Sequence, residues 1–277
     1  MPSKDWQAVH ILIGYAICAG VLVAFHGTAV LRQLARGRAL FVLLGGTGFF
    51  LLFWYYGRMD SWDHAWDPHV PLDASWRPLY SFVYFSLCAV FFRLLLPFLG
   101  ARLALGLPPA ALGLSARRNP HPPAVHRVGW VYLALFLGVL PFVVYASGTQ
   151  PFQDKYPLCH EMISPEGGIA LSHFLVYEAF YLLIFVSGES FWRGFLAFGT
   201  ERDLGLYGLC FMVVPYVTSH FGKPLPETLG AIATGMVLGL LALKHRSVWL
   251  GVAIHYAIAV STDLFVIAQA GRVIYAG

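Results

Sequence analysis

The sequence predicts an all-α polytopic membrane protein with about eight transmembrane helices. Of its 277 residues, 58% are hydrophobic and only 12% are charged, whereas soluble domains average about 45–50% and 25%. The mean hydropathy is +0.67. The apolar residues also fall into separate runs, and a run of about 20 residues, with about 17–25 tolerated, is long enough to cross a bilayer.

Eight runs along the chain qualify as spans. We expect the first to be a span rather than a signal peptide, because it is too long and no convincing cleavage site follows it. The fifth is long enough to bend or protrude. The sixth and seventh are short, which favours tilt or partial burial behind neighbouring helices. The runs are Ala8–Leu31, Ala39–Tyr56, Leu79–Phe98, Val128–Ala146, Ile169–Thr200, Leu204–Ser219, Thr228–Leu243 and Ser247–Ala270.

The connections between these runs alternate in charge. The odd-numbered connections are basic, apart from the near-neutral turn at residues 201–203, and the even-numbered connections are acidic. Because cytoplasmic loops carry an excess of Lys and Arg, the odd-numbered connections are predicted inside and both termini outside. Arginine outnumbers lysine 14 to 4, which hints at a GC-rich bacterial genome and hence at the bacterial inner (plasma) membrane. The basic residues of the odd connections are Arg32, Arg36 and Arg38, then Arg102, Arg117, Arg118 and Arg127 with Arg93 at the edge, then Lys244 and Arg246.

Several function classes are disfavoured by composition. The basic residues are scattered between apolar runs and form no patch that could bind nucleic acid. The expected surrounding partner is the lipid bilayer. The four cysteines show no Cys-x-x-Cys spacing and predict neither a disulfide framework nor a zinc module. A transporter has less support, because no repeated half and no paired broken helices are evident.

Ionisable side chains inside the predicted spans are the strongest functional signal, because such groups are costly in a bilayer. Glu189 and Arg193 are four residues apart and share one helical face. The arginine can orient the carboxylate, which can then take a proton from water. A structural ion pair that pins two helices explains the same spacing. The positions that stand out, all in the C-terminal half, are Glu178, Glu189, Arg193, His220, His255 and Asp263.

At a rise of about 1.5 Å per residue, Glu189, His220 and His255 can reach comparable depths, and we expect them to meet in one cavity. Two chemistries stay open. A Glu–His pair can activate water, with the second histidine supporting the oxyanion. Alternatively, the three side chains can ligate zinc with a water in the fourth position. No His-Glu-x-x-His motif occurs, so no cofactor is predicted and zinc is left open.

Two further features have plainer interpretations. Gly230, Gly235 and Gly239 line the seventh run, and their spacing favours close helix packing. Glu178 lies about three turns before Glu189 and shares its face. It is either a partner of the site or an acid at the outer interface, and we favour the interface.

The order Glu-x-x-x-Arg-Gly-Phe, then aromatic-x-x-x-His, then a late His resembles the CAAX-protease and bacteriocin-processing (CPBP, or Abi) family of intramembrane proteases. The resemblance covers roughly Ile169 to Phe265. The family motifs are Glu-Glu-x-x-x-Arg, Phe-x-x-x-His and His-x-x-x-Asn. In that family the glutamate and the first histidine are thought to activate water, and the late histidine and asparagine to form the oxyanion site.

By position, Glu189 and Arg193 match the second glutamate and the arginine of the first motif. Tyr216 and His220 match the second motif, and His255 matches the late histidine. Three catalytic residues and four supporting ones are expected; Asp263 and Glu178 are added from their positions along the helices, and the other five are implied by the resemblance. The catalytic residues are Glu189, His220 and His255, and the supporting residues are Arg193, Tyr216, Asp263 and Glu178.

The chain departs from the family pattern at two positions. Gly188 stands where the first glutamate belongs, and Ala259 where the asparagine belongs. Either Glu189 has taken over the role of the base, or the chain is an inactive relative. The surrounding pattern resembles a single-glutamate bacterial branch, which favours activity. Asp263, eight residues after His255, is expected to orient it or to supply the missing polar group.

The resemblance implies a glutamic-type intramembrane endopeptidase with residues 128–277 as its core and residues 1–127 as three N-terminal spans plus a cytoplasmic loop. Its expected substrate is a membrane protein with a hydrophobic leader or a C-terminal sorting or prenyl-type tail, similar to those of myxosortase-like members. A non-catalytic CPBP-like immunity or scaffold protein is the second hypothesis.

Overall fold

The computed structural model describes residues 6–66, 73–115 and 125–276, those at 125–128 by their backbone only. The fold is 81% helical, which confirms the all-α prediction. The α-helices are α1 Trp6–His26, α2 Ala29–Leu34, α3 Gly37–Leu40, α4 Gly46–Tyr56, α5 Met59–Ala65, α6 Arg77–Val90, α7 Leu96–Leu105, α8 Val125–Ser147, α9 Gln150–Gln153, α10 Leu171–Glu189, α11 Gly199–Leu204, α12 Gly208–Thr218, α13 Leu225–His245 and α14 Trp249–Gln269.

Shorter elements connect these helices. π-Helical segments cover Phe41–Gly45, Phe91–Leu95 and Ser190–Phe198, and 3-10 turns cover Pro109–Leu112, His160–Met162 and Gly205–Tyr207. Strand β1, Gly168–Ala170, pairs in parallel with β2, Val273–Tyr275. Arg117, Arg118 and the side chain of Arg127, which contribute to the orientation argument, lie outside the described residues.

Within the described residues, seven helical stretches are long and apolar enough to cross a membrane. The polytopic membrane prediction is therefore confirmed. The predicted fifth and sixth spans differ, because both lie in one stretch, Leu171–Thr218, of 48 residues. The remaining stretches are Trp6–His26, Gly37–Tyr56, Arg77–Leu105, Gly129–Ser147, Leu225–His245 and Trp249–Gln269.

The 48-residue stretch folds back on itself at Gly205. This residue has φ 56°, in the region that favours glycine. Beyond it α12 returns along the π-helical segment, so that the rings of Trp192 and Tyr216 lie 5.7 Å apart. α12 has only 11 residues, about 16 Å of helix. It is therefore too short to cross a bilayer core of about 30 Å alone.

The chain forms two compact units. The first consists of Met1–Tyr55, Phe91–Pro122 and Ser187–Gly251. Within it, α12 packs against α1, α13 and the π-helical segment Ser190–Phe198. The core is rich in aromatic side chains, which interlock at ring distances typical of edge-on packing. Its largest fully buried members include Phe50, Phe191, Phe195, Phe198, Phe211 and Tyr216.

Glycines on α13 allow the close approach of α12. A Cβ atom added at Gly235 would lie 3.0 Å from the Tyr216 ring, and one at Gly239 would lie 2.8 Å from Leu209. A Cβ added at Gly230 would meet nothing within 4 Å. The predicted close packing is therefore confirmed for Gly235 and Gly239, whereas Gly230 is not part of the contact.

Three connections of the first unit meet at one end of it. Arg36 forms an ion pair with Asp203 at 3.4 Å, and Arg246 forms one with Glu201 at 2.5 Å. The first connection, the turn at residues 201–203 and the seventh connection therefore share one side, as the alternation of charge requires. Which side of the membrane this is stays a prediction.

The second unit consists of Tyr56–Val90, Pro123–Val186 and Val252–Gly277. In it α5 packs against α6, and the Trp62 ring lies 5.6 Å from that of Tyr84. The Cys159 thiol is buried and donates to the carbonyl oxygen of Pro78 at 3.1 Å. Burial and, secondarily, the neighbouring Glu161 raise the pKa of Cys159 to about 12. Each unit draws on both sides of residue 127, and the division proposed there stays a prediction.

Candidate active site

The first unit contains a buried ion pair at the junction of α10 and the π-helical segment. Glu189 is 1% exposed and Arg193 is 0% exposed. The Arg193 Nη1 donates to Glu189 Oε1 at 2.8 Å, as the spacing of four residues predicts. π-Helical turns are rare and frequently occur at functional sites. The pair thus lies where the helix departs from α geometry.

Three groups hold the guanidinium of Arg193. Besides the carboxylate of Glu189, the carbonyl oxygen of Thr234 accepts from Nη2 at 3.3 Å. The Cζ atom also lies 4.5 Å from the centre of the Tyr216 ring, within range of a cation–π interaction. Arg193 is therefore fixed from three directions, and it fixes Glu189 in turn through a charge-assisted hydrogen bond.

The second oxygen of the Glu189 carboxylate lies against the first turn of α14. A Cβ atom added at Gly251 would come 2.7 Å from Glu189 Oε2 and 3.4 Å from Cδ. Only glycine leaves this space open. The sequence analysis missed Gly251, because a single glycine in an apolar run carries no signal until its neighbour is known.

His220 lies two residues beyond the end of α12. Its Nδ1 is 2.8 Å from the carbonyl oxygen of Tyr216. Because a carbonyl oxygen only accepts, this contact assigns the proton of the neutral ring to Nδ1, and Nε2 is then the basic nitrogen. The Thr228 hydroxyl donates to the His220 carbonyl oxygen at 2.9 Å and steadies the turn.

Tyr216 joins the ion pair to the histidine. Its ring contacts the Arg193 guanidinium on one hand and, edge to face at 4.7 Å, the ring of His220 on the other. The structure therefore brings four of the predicted residues into one continuous buried cluster. They are Glu189, Arg193, Tyr216 and His220.

His255 and Glu178 belong to the second unit. The His255 ring lies 4.8 Å from that of Phe185. Glu178 is buried, and its carbonyl oxygen accepts a hydrogen bond from the Tyr256 hydroxyl at 3.1 Å. The catalytic role of His255 and its predicted convergence with the other two residues stay predictions.

Asp263, also in the second unit, is fully buried. Its Oδ2 accepts from the Tyr177 hydroxyl at 2.7 Å. The same hydroxyl oxygen accepts from the backbone N–H of Leu158 at 3.2 Å. Asp263 thus ties α14 to α10 and to the segment before His160, a structural task that the sequence did not indicate. Its predicted action on His255 stays a prediction.

Arg93 is a further buried charge that the sequence analysis placed at the edge of a connection. It lies instead within the helical stretch Arg77–Leu105 and is 8% exposed. Its Cζ lies 5.5 Å from the Phe53 ring and 5.8 Å from the Trp192 ring. The sequence signal for this buried charge was an arginine inside an apolar run. The sequence analysis counted Arg93 only as a marker of membrane orientation and so did not consider it as part of the site.

In the described part of the chain, no three His, Cys, Asp or Glu side chains are grouped closely enough to hold a metal ion.

Comparison with known proteins shows a similarity to a protease family over part of the chain. Residues 170–261 match the family model "Type II CAAX prenyl endopeptidase Rce1-like". No curated protein and no solved structure matches the chain. The predicted resemblance to the CPBP family is confirmed over these residues, which contain all four members of the buried cluster. The single-glutamate branch and the likeness to myxosortases stay predictions.

Proposed function

Starting from this Rce1-like segment, which implies a CAAX-type membrane protease, we propose that the protein is a glutamic-type intramembrane endopeptidase. The observation that carries the proposal is the buried cluster in which Arg193 orients Glu189 while the Tyr216 carbonyl leaves Nε2 of His220 as the basic nitrogen. A carboxylate and an unprotonated imidazole nitrogen are the groups that general-base activation of water needs.

In the proposed reaction, water attacks the carbonyl carbon of the scissile amide. Glu189 and His220 act as a pair that accepts the single proton lost by the water. The same proton passes to the amide nitrogen as the C–N bond breaks. Arg193 keeps the carboxylate in one orientation throughout. His255, by its match to the late histidine of the family, donates to the oxyanion that develops on the carbonyl oxygen.

The proposed substrate is a membrane protein with a hydrophobic leader or a C-terminal sorting or prenyl-type tail. Support comes from the burial of Glu189 and Arg193 among apolar helices and from the family description. A substrate segment that is itself apolar reaches such a site from the bilayer.

The test is terminal-peptide proteomics of host membranes, comparing wild type with a chromosomal Glu189→Ala variant expressed at equal level. Glu201→Gln serves as the control, because Glu201 pairs with Arg246 at a partly exposed site. Membrane proteins that keep an uncleaved segment in the Glu189 variant alone would support the protease and identify its substrate.

The second hypothesis, a non-catalytic immunity or scaffold protein, is favoured by Gly188 and Ala259, which replace two polar residues of the family motifs. It predicts that the Glu189 variant changes no terminal peptide, although deletion of the whole gene has a phenotype. Under this hypothesis the buried cluster is retained for packing, and its substitution lowers thermal stability alone.

A further inference from the structure

The side chain of Arg93 fills the space that a side chain at position 188 would need. A Cβ atom added at Gly188 would overlap with Nη2 of Arg93 and come 3.4 Å from its Cζ. Gly188 immediately precedes Glu189. The guanidinium of Arg93 therefore lies where a side chain at position 188 would begin, and any larger residue there would push it away.

Arg93 has an electrostatic partner in the cluster as well as aromatic ones. Its guanidinium lies near enough to the Glu189 carboxylate for the two charges to attract each other, and it lies over the rings of Phe53 and Trp192. Cation–π contacts compensate a buried guanidinium only in part.

The balance of buried charge in the first unit also involves Arg93. Among its described residues, the charged side chains buried around the cluster are Arg93, Arg193 and Glu189, whereas the buried Asp203 side chain pairs with the exposed Arg36. Removing an arginine from water is costly unless an opposite charge lies nearby. Glu189 is the buried carboxylate that can serve both cations.

We propose that Arg93 is a positioning residue of the site: its guanidinium, admitted by the absence of a side chain at Gly188, stabilises the Glu189 carboxylate together with Arg193. The chain has glycine where the two-glutamate motif has its first glutamate. The side chain of Arg93, from a distant part of the sequence, then fills the space that the glutamate side chain would occupy. The catalytic meaning of this inference rests on the proposed function, but the interaction itself does not.

The test is a double-mutant cycle on the thermal unfolding of the full-length protein in detergent. Arg93→Met is introduced into wild type and into Glu189→Gln. If Arg93 stabilises the carboxylate, the change in Tm caused by Arg93→Met is more negative in wild type than in Glu189→Gln. We expect the difference between the two changes to be about 2–4 °C or more. Equal changes in the two backgrounds would overturn the proposal.

Arg38→Met is the matched control. Arg38 donates to the carbonyl oxygens of Gly199 and Phe198, at 2.8 and 3.3 Å, and to no carboxylate in these contacts. Its effect on Tm is expected to be the same with Glu189 and with Gln at that position.

Gly188→Ala keeps the inference testable if Arg93→Met does not fold. Alanine favours a helix over glycine, so a lower Tm requires displacement of Arg93. We expect Gly188→Ala to lower Tm in wild type more than in Glu189→Gln, and to cost nothing further when Arg93 is already Met. Stabilisation by Gly188→Ala in both backgrounds would contradict the proposal.

Turnover of the substrate found by proteomics connects the inference to catalysis. Arg93→Met is expected to lower kcat at least about tenfold with little change in KM, and Arg93→Lys to restore most of it. A coupled Tm cycle without any cleavage by wild type would refute the proposed function and leave the Arg93–Glu189 interaction standing. An uncoupled Tm cycle in a protein that cleaves its substrate would refute the Arg93–Glu189 interaction and leave the proposed function standing.

Discussion

Substitution of Gly251 by alanine is the most direct test of where Glu189 must lie. The new methyl carbon would come 2.7 Å from Oε2, whereas ordinary contact begins at 3.4 Å. The carboxylate would have to retreat by about 0.7 Å, and a misplacement of about 1 Å can cost a hundredfold in rate. We therefore expect Gly251→Ala to lower turnover at least about tenfold.

Stability provides a second measurement on the same variant. Exchanging glycine for alanine inside a helix gains about 1 kcal/mol, whereas breaking a buried ion pair costs about 3–5 kcal/mol. If the retreat breaks the 2.8 Å bond to Arg193, the net loss of stability is up to about 4 kcal/mol, several degrees in Tm.

The matched control is Gly230→Ala on α13, where an added Cβ meets nothing within 4 Å. This variant should be as active as wild type and slightly more stable. Thermal unfolding in detergent and cleavage of the identified substrate are measured for both. If Gly251→Ala behaves like Gly230→Ala in both assays, the tight placement of Glu189 has no role in activity, and the geometric argument is refuted.

Three further predictions follow from the site and from the second unit. Glu189→Ala, His220→Ala and His255→Ala should each abolish cleavage while the protein stays folded in the membrane; full processing by all three would exclude the proposed chemistry. Zinc analysis of purified protein, with and without a chelator, should find no stoichiometric metal and no loss of activity on chelation; a metal that tracks activity would favour the zinc alternative. Because burial raises the pKa of Cys159 to about 12, the thiolate is scarce near pH 8, and maleimide should label this residue only after unfolding; rapid labelling in native membranes would contradict its burial.

The sequence predicted the features that depend on local spacing. The four-residue interval between Glu189 and Arg193 fixes their contact on a single helix, and the bond is present. The apolar runs likewise predicted the helices. Hydropathy also placed a turn at residues 201–203, close to the reversal at Gly205. It records only the length of an apolar run, so the sixth span was expected to be longer than α12 is.

The features that sequence analysis missed all depend on residues distant in the chain. Arg93 reaches Gly188 from 95 positions away, and Gly251 receives the Glu189 carboxylate across 62 positions. No periodicity reports such an approach. In both cases the informative residue is a glycine, whose missing side chain has meaning only once the neighbouring atoms are placed.

The shortness of α12 has a consequence for biosynthesis. A helix of 11 residues offers the insertion machinery too little apolar length to be retained in the bilayer on its own. It lies against Gly235 and Gly239 of α13, a helix that leaves the ribosome later. The contacts that hold α12, and with it His220, are therefore complete only after α13 has been made, and the proposed active arrangement cannot form before then.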